Sequence, residues 1–133
     1  MKRFDYFRPA NVADQKIKKR DDGTAPTIEL TVNPDIAAEV GLGKNPGQVL
    51  VAFAAETQNA IDNARQKLTR KRADLIVVND VGTGRVFGSD GNEAVILDAS
   101  GGHTALPRMS KDAVAYEVWD RVVKLLSNVQ EAY

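Results

Sequence analysis

The 133-residue sequence contains no cysteine and a single histidine, His103. Without thiols it can form no disulfide, thiolate metal site or cysteine nucleophile, and one imidazole cannot build a histidine metal cluster. Lys and Arg together number 18, as do Asp and Glu. A chain without net charge and with few aromatic residues is not typical of proteins that bind nucleic acid or membranes through bulk charge. Nucleic-acid binding by the basic cluster at residues 16–20 is therefore a weak alternative.

Long apolar runs are also missing. No stretch approaches the ~20 residues of a membrane span, and no signal-peptide pattern is present. We therefore expect a cytoplasmic protein without a membrane partner. The length suits a single domain over residues 1–133. Because the first clear strand pattern starts only near Thr27, we expect that domain to be part of a larger one.

Residues 48–81 have the pattern of a strand, a helix and a second strand. Apolar residues fill positions 49–53 and again 75–78, while Thr57 is a predicted N-cap for a helix that runs to about Arg72. At helical spacing, the predicted buried stripe of this helix consists of Ala60, Ile61, Ala64 and Leu68. This segment therefore predicts a βαβ unit.

Two lysines lie on the buried side of the predicted helix. Lys71 falls inside the apolar stripe and Lys67 lies on its edge. An unpaired buried cation costs several kcal/mol, and no acidic residue of the helix shares this face. Two interpretations stay open: the lysine stems cover apolar surface while their ammonium groups reach water, or the ammonium groups bind an anionic ligand such as a nucleotide phosphate.

The remaining patterns complete a prediction of the fold. Residues 27–32 alternate as a strand, Asn33 is a predicted cap and Pro34 a predicted first helical residue. A hairpin follows at 93–106, and Ser110 starts a long final helix. The order predicts an α/β fold, Rossmann-like, with three α/β/α layers, a mostly parallel sheet and a C-terminal β-hairpin and helix.

Several residues near the predicted ligand edge have two interpretations each. Lys16 lies either in a solvated basic loop or in a flap, residues 9–26, that closes over a phosphate. Phe53 is either core or a platform for a base, since ligands of such sheets bind beyond the carboxyl ends of the strands. Glu56 either binds a metal or favours the helix N-terminus. The segment 87–92 is read as a turn in preference to a calcium loop.

The order and spacing of separated motifs are more informative than any one of them. The chain resembles the phosphopantothenoylcysteine synthetase family, the ligase part of the bacterial bifunctional coenzyme A biosynthesis flavoprotein. The resemblance covers Arg8 to about Leu126. Its motifs are Arg8-Pro9-Ala10, Lys16-Ile17-Lys18-Lys19, Asn33-Pro34-Asp35-Ile36, Phe53-Ala54-Ala55-Glu56-Thr57, Ala64-Arg65-Gln66-Lys67-Leu68 with Lys71, Asp74-Leu75-Ile76-Val77-Val78-Asn79-Asp80-Val81, Phe87-Gly88-Ser89-Asp90, and Leu106-Pro107 with Ser110-Lys111.

The resemblance implies an activity and its partners. Enzymes of this family join cysteine to 4′-phosphopantothenate, and the bacterial form uses CTP with Mg²⁺. The pantothenate carboxylate attacks the α-phosphate to form an acyl-cytidylate, from which the cysteine amine displaces CMP. The family forms homodimers, and a separate N-terminal half or a decarboxylase flavoprotein is a further implied partner. No flavin-site motif occurs in this chain.

The resemblance also implies roles for individual residues. Lys16 would be the catalytic flap lysine that stabilises the acyl-cytidylate, and Phe53 would contact the cytidine. Lys67 and Lys71 would hold the triphosphate. The other implied nucleotide contacts are Asp5, Pro34, Asp35, Ile36 and Ala37. No residue is assigned to the metal.

The chain departs from the family pattern in three respects. Ala52 replaces the usual glycine before Phe53, so an extra methyl group lies near the base. One residue too many separates Asp5 from Arg8. The glycine-rich first half of the family domain is missing, so we expect incomplete activity from this chain alone. The alternative function is a non-catalytic nucleotide-binding or dimerisation module that needs the N-terminal half.

Overall fold

A computed structural model of the protein describes residues 6–80 and 92–131. The chain forms two compact units, Met1–Ile36 and Ala37–Tyr133. Among the helices within these described ranges, none is long and apolar enough to cross a membrane. The single domain over residues 1–133 stays a prediction.

The smaller unit contains one antiparallel strand pair. Strand β1 (Phe7–Pro9) pairs with β2 (Leu30–Val32), with Phe7 opposite Val32 and Pro9 opposite Leu30. Residues 10–29 between them form neither helix nor strand, and all of them are exposed. The predicted strand at 27–32 is therefore present only in its second half, because β1 offers three residues for pairing. The flap function of residues 9–26 stays a prediction.

The larger unit contains most of the secondary structure. Its first helix, α1, begins at the unit boundary. The elements are α1 (Ile36–Gly43), β3 (Val51–Glu56), α2 (Ala60–Arg70), β4 (Leu75–Asp80), β5 (Asn92–Asp98), β6 (His103–Met109) and α3 (Lys111–Glu131).

The four strands of the larger unit form one sheet in the order β3-β4-β5-β6. Strands β3 and β4 are parallel, whereas β4–β5 and β5–β6 are antiparallel. The α/β class and the C-terminal hairpin and helix are confirmed, but this sheet is mixed and not mostly parallel. A parallel connection needs about a dozen or more residues, usually with a helix, whereas residues 81–91 alone link β4 to β5.

Helices α2 and α3 pack on opposite faces of the sheet. Ala64 and Leu68 of α2 lie in one buried cluster with Ile76 and Val78 among others. Val114, Val118 and Val122 of α3 lie in a second cluster, with Leu75, Val77 and Ile96. The two clusters alternate along β4 because successive strand side chains point to opposite faces. The predicted stripe of α2 and the three-layer arrangement are confirmed.

The starts of the helices differ in part from those that the local sequence predicts. Helix α2 is preceded by Asn59 in the left-handed conformation (φ 47°, ψ 41°) with no side-chain cap hydrogen bond, so the predicted Thr57 cap is wrong. Strand β3 continues to Glu56, and the chain uses the following residues to reverse direction. Helix α1 begins at Ile36 and not at Pro34. The Ser110 cap is confirmed, since the Ala113 N–H donates to the Ser110 hydroxyl oxygen at 3.2 Å.

Candidate nucleotide site

The carboxyl ends of β3 and β4 lie at one edge of the sheet. Glu56 and Asp80 are in register as the last residues of the two strands. Glu56 is only 9% exposed. Among the described residues that are buried, it is the one with a charged side chain. It is buried because Ala52, Ala54 and Glu56 share the strand face that α2 covers. A carboxylate at this position needs a cation or several hydrogen-bond donors.

Lys67 supplies that cation. Its Nζ donates to Glu56 Oε1 in a salt bridge whose side chains are 23% and 11% exposed. Asn63 Nδ2 donates to Glu56 Oε2 at 3.4 Å and to the Gln58 carbonyl oxygen at 3.0 Å. Lys67 reaches back to the strand end because helical side chains tilt toward the helix N-terminus. The anionic partner sought for Lys67 is thus supplied by the protein, while phosphate binding stays a prediction.

Lys71 lies at the other end of α2. It is the C-cap residue, and its N–H donates to the Lys67 carbonyl oxygen at 2.9 Å. Strand β4 starts at Leu75, so the Lys71 main chain lies near the amino end of β4, whereas Glu56 is at the carboxyl end of β3. The structure therefore directs Lys67 to the predicted ligand edge and places the Lys71 backbone nearer the opposite edge.

The C-terminal end of α1 packs against the C-terminal end of α2. Gly41 is buried, and a Cβ there would lie 1.7 Å from the Lys71 carbonyl oxygen. Lys44 Nζ donates to Asp74 Oδ2 at 2.7 Å and to the Arg72 carbonyl oxygen at 3.0 Å. The same Asp74 oxygen accepts the Leu50 N–H at 2.7 Å. These contacts hold α1, which carries Ala37, against the starts of β3 and β4.

Phe53 lies on the sheet face that α3 covers. Its side chain is 68% exposed, so the interpretation as core is wrong. It borders a groove of about 630 Å³ whose other lining residues include Val51, Asn79, Lys111 and Trp119. Because residues three apart in a strand point to opposite faces, Phe53 and Glu56 do not share a face. A single ligand that contacts both Phe53 and Lys67 must therefore pass around β3, along its outer edge or its carboxyl end.

The smaller unit organises another group of candidates. Arg8 Nη1 donates to the Val32 carbonyl oxygen at 3.0 Å and to Asn33 Oδ1 at 3.2 Å, and the Asn33 N–H donates to the Tyr6 carbonyl oxygen at 2.8 Å. These bonds bring the Arg-Pro motif next to the start of Asn33-Pro34-Asp35-Ile36. The three residues after Asn33 are predicted nucleotide contacts, and all three are exposed: Pro34, Asp35 and Ile36.

The other candidates are not brought together in this way. Lys16 is exposed on the segment between β1 and β2. Asp5 and the motif at 87–90 lie outside the described residues. Within the described ranges, no group of three or more His, Asp or Glu residues could hold a metal ion.

Two carboxyl groups that lie in turns have lowered pKa values. The Ser100 hydroxyl and the Gly102 N–H donate to Asp98, and these bonds hold the pKa of Asp98 below its ordinary value of 3.8. The Thr24 hydroxyl and N–H likewise lower the pKa of Asp22. Hydrogen bonds to the charged form are the physical cause in both turns. Both carboxylates belong to turn structures and not to the edge that carries Glu56.

Sequence reasoning missed Glu56 as the partner of Lys67. No acidic residue of α2 shares the face of Lys67, and the acid lies instead on the strand that α2 covers. The alternation of Ala52, Ala54 and Glu56 is the signal that could have shown it, because a strand face buried by α2 must also face the lysines of α2. The groove contributions of Lys111 and Trp119 carried no comparable signal.

The fold and this edge define a Rossmann-like α/β domain with charged residues at the carboxyl ends of its parallel strands. The DNA/pantothenate metabolism flavoprotein C-terminal domain family matches residues 5–126, and the chain belongs to this family. It is 44% identical over 130 residues to the coenzyme A biosynthesis bifunctional protein CoaBC of Mycobacterium tuberculosis (strain ATCC 25618 / H37Rv), covering 91% of this chain and 31% of the relative. The CoaBC protein of Bacillus subtilis (strain 168) is 43% identical over 126 residues, with 94% and 30% covered.

A solved structure supports the same assignment. The crystal structure of the C-terminal domain of a coenzyme A biosynthesis bifunctional protein CoaBC superposes with a TM-score of 0.71 at 29% identity. The match covers 93% of this chain and 51% of that domain. The chain thus spans about a third of the curated relatives and about half of the solved domain. The resemblance to the phosphopantothenoylcysteine synthetase part of CoaBC is confirmed at the level of the family.

Proposed function

We propose that this chain is the nucleotide-binding part of a ligase that joins cysteine to 4′-phosphopantothenate at the expense of CTP in coenzyme A biosynthesis. The observation that supports the proposal is the Lys67 ammonium group, held by Glu56 at the carboxyl end of β3. A cation at this edge suits a triphosphate, because ligands of open α/β sheets bind there. Family membership supplies the reaction class.

The described residues fit CTP in two ways. An ammonium group has three donors, so Lys67 can bond Glu56 and still donate to phosphate oxygens. Phe53, three residues before Glu56 on β3, is 68% exposed and offers a ring face to cytosine. Lys71 would add charge for the triphosphate, and Ala37 would lie along the nucleotide. Mg²⁺ in such sites is held largely by the substrate phosphates with one or two carboxylates.

The family resemblance implies further roles for residues earlier in the chain. Pro34, Asp35 and Ile36 would line the nucleotide, as would Asp5. Lys16 would stabilise the negative charge of the acyl-cytidylate. In the proposed reaction a carboxylate oxygen of 4′-phosphopantothenate attacks the α-phosphorus of CTP and pyrophosphate leaves. The cysteine amine then attacks the acyl carbon, loses a proton and expels CMP.

A second candidate function is a non-catalytic module that completes a ligase domain with another polypeptide or as a homodimer. Within the larger unit, no described strand pairs with the outer edge of β3. Unpaired edges are templates for strand addition, and the adjoining groove exposes Phe53 and Trp119, the latter at 64%. The occupant we propose is the other half of the domain, since this chain covers 51% of the solved CoaBC C-terminal domain.

Calorimetric titration of CTP with Mg²⁺ into the purified chain tests the leading proposal. ATP and the double variant Lys67→Ala/Lys71→Ala serve as controls. Micromolar binding that prefers CTP and is lost in the double variant supports a nucleotide site built by this chain. No heat from either nucleotide contradicts it.

Ligation assays separate the two candidate functions. Pyrophosphate release from CTP, 4′-phosphopantothenate and cysteine is measured for the chain alone and after addition of the other half of a CoaBC ligase domain. Activity that appears only after addition supports the module. Full activity of the chain alone contradicts the expectation that it is incomplete.

A further inference from the structure

We propose that Glu56 is a positioning residue for the nucleotide site, which holds the Lys67 ammonium group ready for the triphosphate. The inference rests on the proposed function and concerns a residue to which the family resemblance assigns no role. Glu56 makes no contact with the nucleotide in this proposal. It acts through Lys67.

The argument begins with the flexibility of lysine. A lysine side chain has four rotatable bonds, and immobilising such a side chain on binding opposes association. In this structure the immobilisation is already present, because Lys67 Nζ bonds Glu56 Oε1. The side chains are 23% and 11% exposed, so the salt bridge is shielded from much of the solvent.

Glu56 is itself held in place. It is the last residue of β3 and is in register with Asp80 of β4, so its backbone is part of the sheet. Asn63 Nδ2 donates to its second carboxylate oxygen at 3.4 Å and also to the Gln58 carbonyl oxygen at 3.0 Å. The carboxylate therefore has donors on both oxygens. A rigid strand end supported by a neighbouring side chain is a suitable base for a binding group.

The negative charge of Glu56 acts in the opposite direction. A carboxylate beside a bound triphosphate repels it, and the repulsion is stronger away from water. Glu56 thus has two separable effects on nucleotide affinity: it orients Lys67 and it opposes the ligand charge. Glutamine at this position keeps the acceptor oxygen and removes the charge. Methionine has a similar length, is also uncharged, and lacks the acceptor.

The test therefore compares Glu56→Gln with Glu56→Met in the full chain. We expect Glu56→Gln to bind CTP with Mg²⁺ at least as tightly as the wild type. Glu56→Met should bind about five- to tenfold more weakly than Glu56→Gln, the factor expected when a long side chain must be immobilised on binding. In a Lys67→Met background the difference between the two variants should vanish. If the two variants bind CTP with equal affinity in the wild-type background, this inference is overturned and the proposed function is not affected.

A second measurement reads the position of Lys67 without any nucleotide. The ¹⁵N–¹H signal of its ammonium group, assigned through Lys67→Met, should be visible in the wild type and in Glu56→Gln and lost to water exchange in Glu56→Met. The Lys44 ammonium, bonded to Asp74 Oδ2 at 2.7 Å, is the internal control and should be unaffected. A signal that is unchanged in Glu56→Met overturns the inference even when CTP binds. If the ammonium signal of Lys67 is visible but the wild type does not bind CTP, both the proposed function and the role of Lys67 in nucleotide binding are overturned.

Discussion

Gly41 of α1 lies directly against the Lys71 main-chain carbonyl at the end of α2. A Cβ at Gly41 would lie 1.7 Å from that oxygen and 2.8 Å from the carbonyl carbon. Both atoms belong to the backbone, so no side-chain rotation relieves the overlap. Lys44 and Asp74 complete the same junction. The position of α1 on the larger unit thus depends on a residue without a side chain.

Gly41→Ala should destabilise the chain strongly. Forcing a methyl group against the backbone separates α1 from α2, and we expect a loss of about 3 kcal/mol or more in the free energy of unfolding. Urea denaturation measures it. Gly43→Ala is the matched control in the same helix, since nothing lies within 4 Å of a Cβ there. Its stability should change by less than about 0.5 kcal/mol. Equal effects of the two substitutions would contradict the close contact.

Asp74→Asn should loosen the same junction. Asp74 Oδ2 accepts from Lys44 Nζ and from the Leu50 N–H, both at 2.7 Å. Losing a charged acceptor that serves two donors should lower the free energy of unfolding by about 1.5–3 kcal/mol.

The control for Asp74→Asn is Glu117→Gln, which neutralises a carboxylate paired with Arg121 one helical turn away at 2.8 Å. Such a pair on a helix surface contributes about 0.5 kcal/mol or less. Chemical denaturation of both variants at one pH gives the comparison. A loss for Asp74→Asn no larger than that for Glu117→Gln would refute the role of the junction.

Asp98 should make stability depend on pH in the acid range. Its folded-state pKa is lowered by the Ser100 hydroxyl and the Gly102 N–H, so the unfolded chain takes up a proton at higher pH than the folded chain does. The contribution of Asp98 is therefore present above its ordinary pKa of 3.8 and is lost as the pH falls toward the lower folded value.

Urea midpoints measured between neutral pH and the acid range test this linkage. The stability advantage of the wild type over Asp98→Asn should be largest near neutral pH and should shrink below the ordinary pKa of Asp98. Ser100→Ala, which removes the largest cause of the shift, should shrink the same dependence. An advantage that is independent of pH would exclude Asp98 as its source.

Phe53→Ala separates binding from folding. Because the side chain is 68% exposed, stability should change little, whereas CTP affinity should fall on the order of tenfold, since stacking on an aromatic ring contributes about 1–3 kcal/mol per base. Val77→Ala is the contrasting variant: Val77 is fully buried, and its truncation should cost about 1–3 kcal/mol of stability. Unchanged CTP affinity in a folded Phe53→Ala protein would remove Phe53 from the site.

Ser110→Ala should weaken the start of α3. Its hydroxyl oxygen accepts the Ala113 N–H at 3.2 Å, and loss of such a cap costs about 1 kcal/mol. Ser127→Ala is the control within the same helix, because the Ser127 hydroxyl donates to the Val123 carbonyl oxygen at 2.9 Å and caps no free N–H group. Thermal unfolding should separate the two variants by several degrees. Indistinguishable midpoints would show that the cap does not stabilise α3.

Local periodicity was enough to predict the elements themselves. The stripe of Ala60, Ile61, Ala64 and Leu68 repeats every three or four residues, so a helix with that buried face was predictable without knowledge of what covers it. The apolar runs of β3 and β4 and the Ser110 cap were predictable for the same reason: each depends on residues within a few positions along the chain. The family was likewise readable, because its motifs are short and ordered.

Tertiary contacts decided the rest. The antiparallel pairing of β4 with β5 depends on contacts between strands that are distant from any local sequence pattern. Lys67 pairs with Glu56, eleven positions earlier on another element, and Gly41 meets Lys71, which lies beyond both β3 and α2 along the chain. The free energies of these contacts depend on distance in space and on exclusion of water, and neither quantity has a local pattern. The sequence by itself determined most of the helices and strands and the family, while the folded structure decided which charged groups and which backbone segments meet.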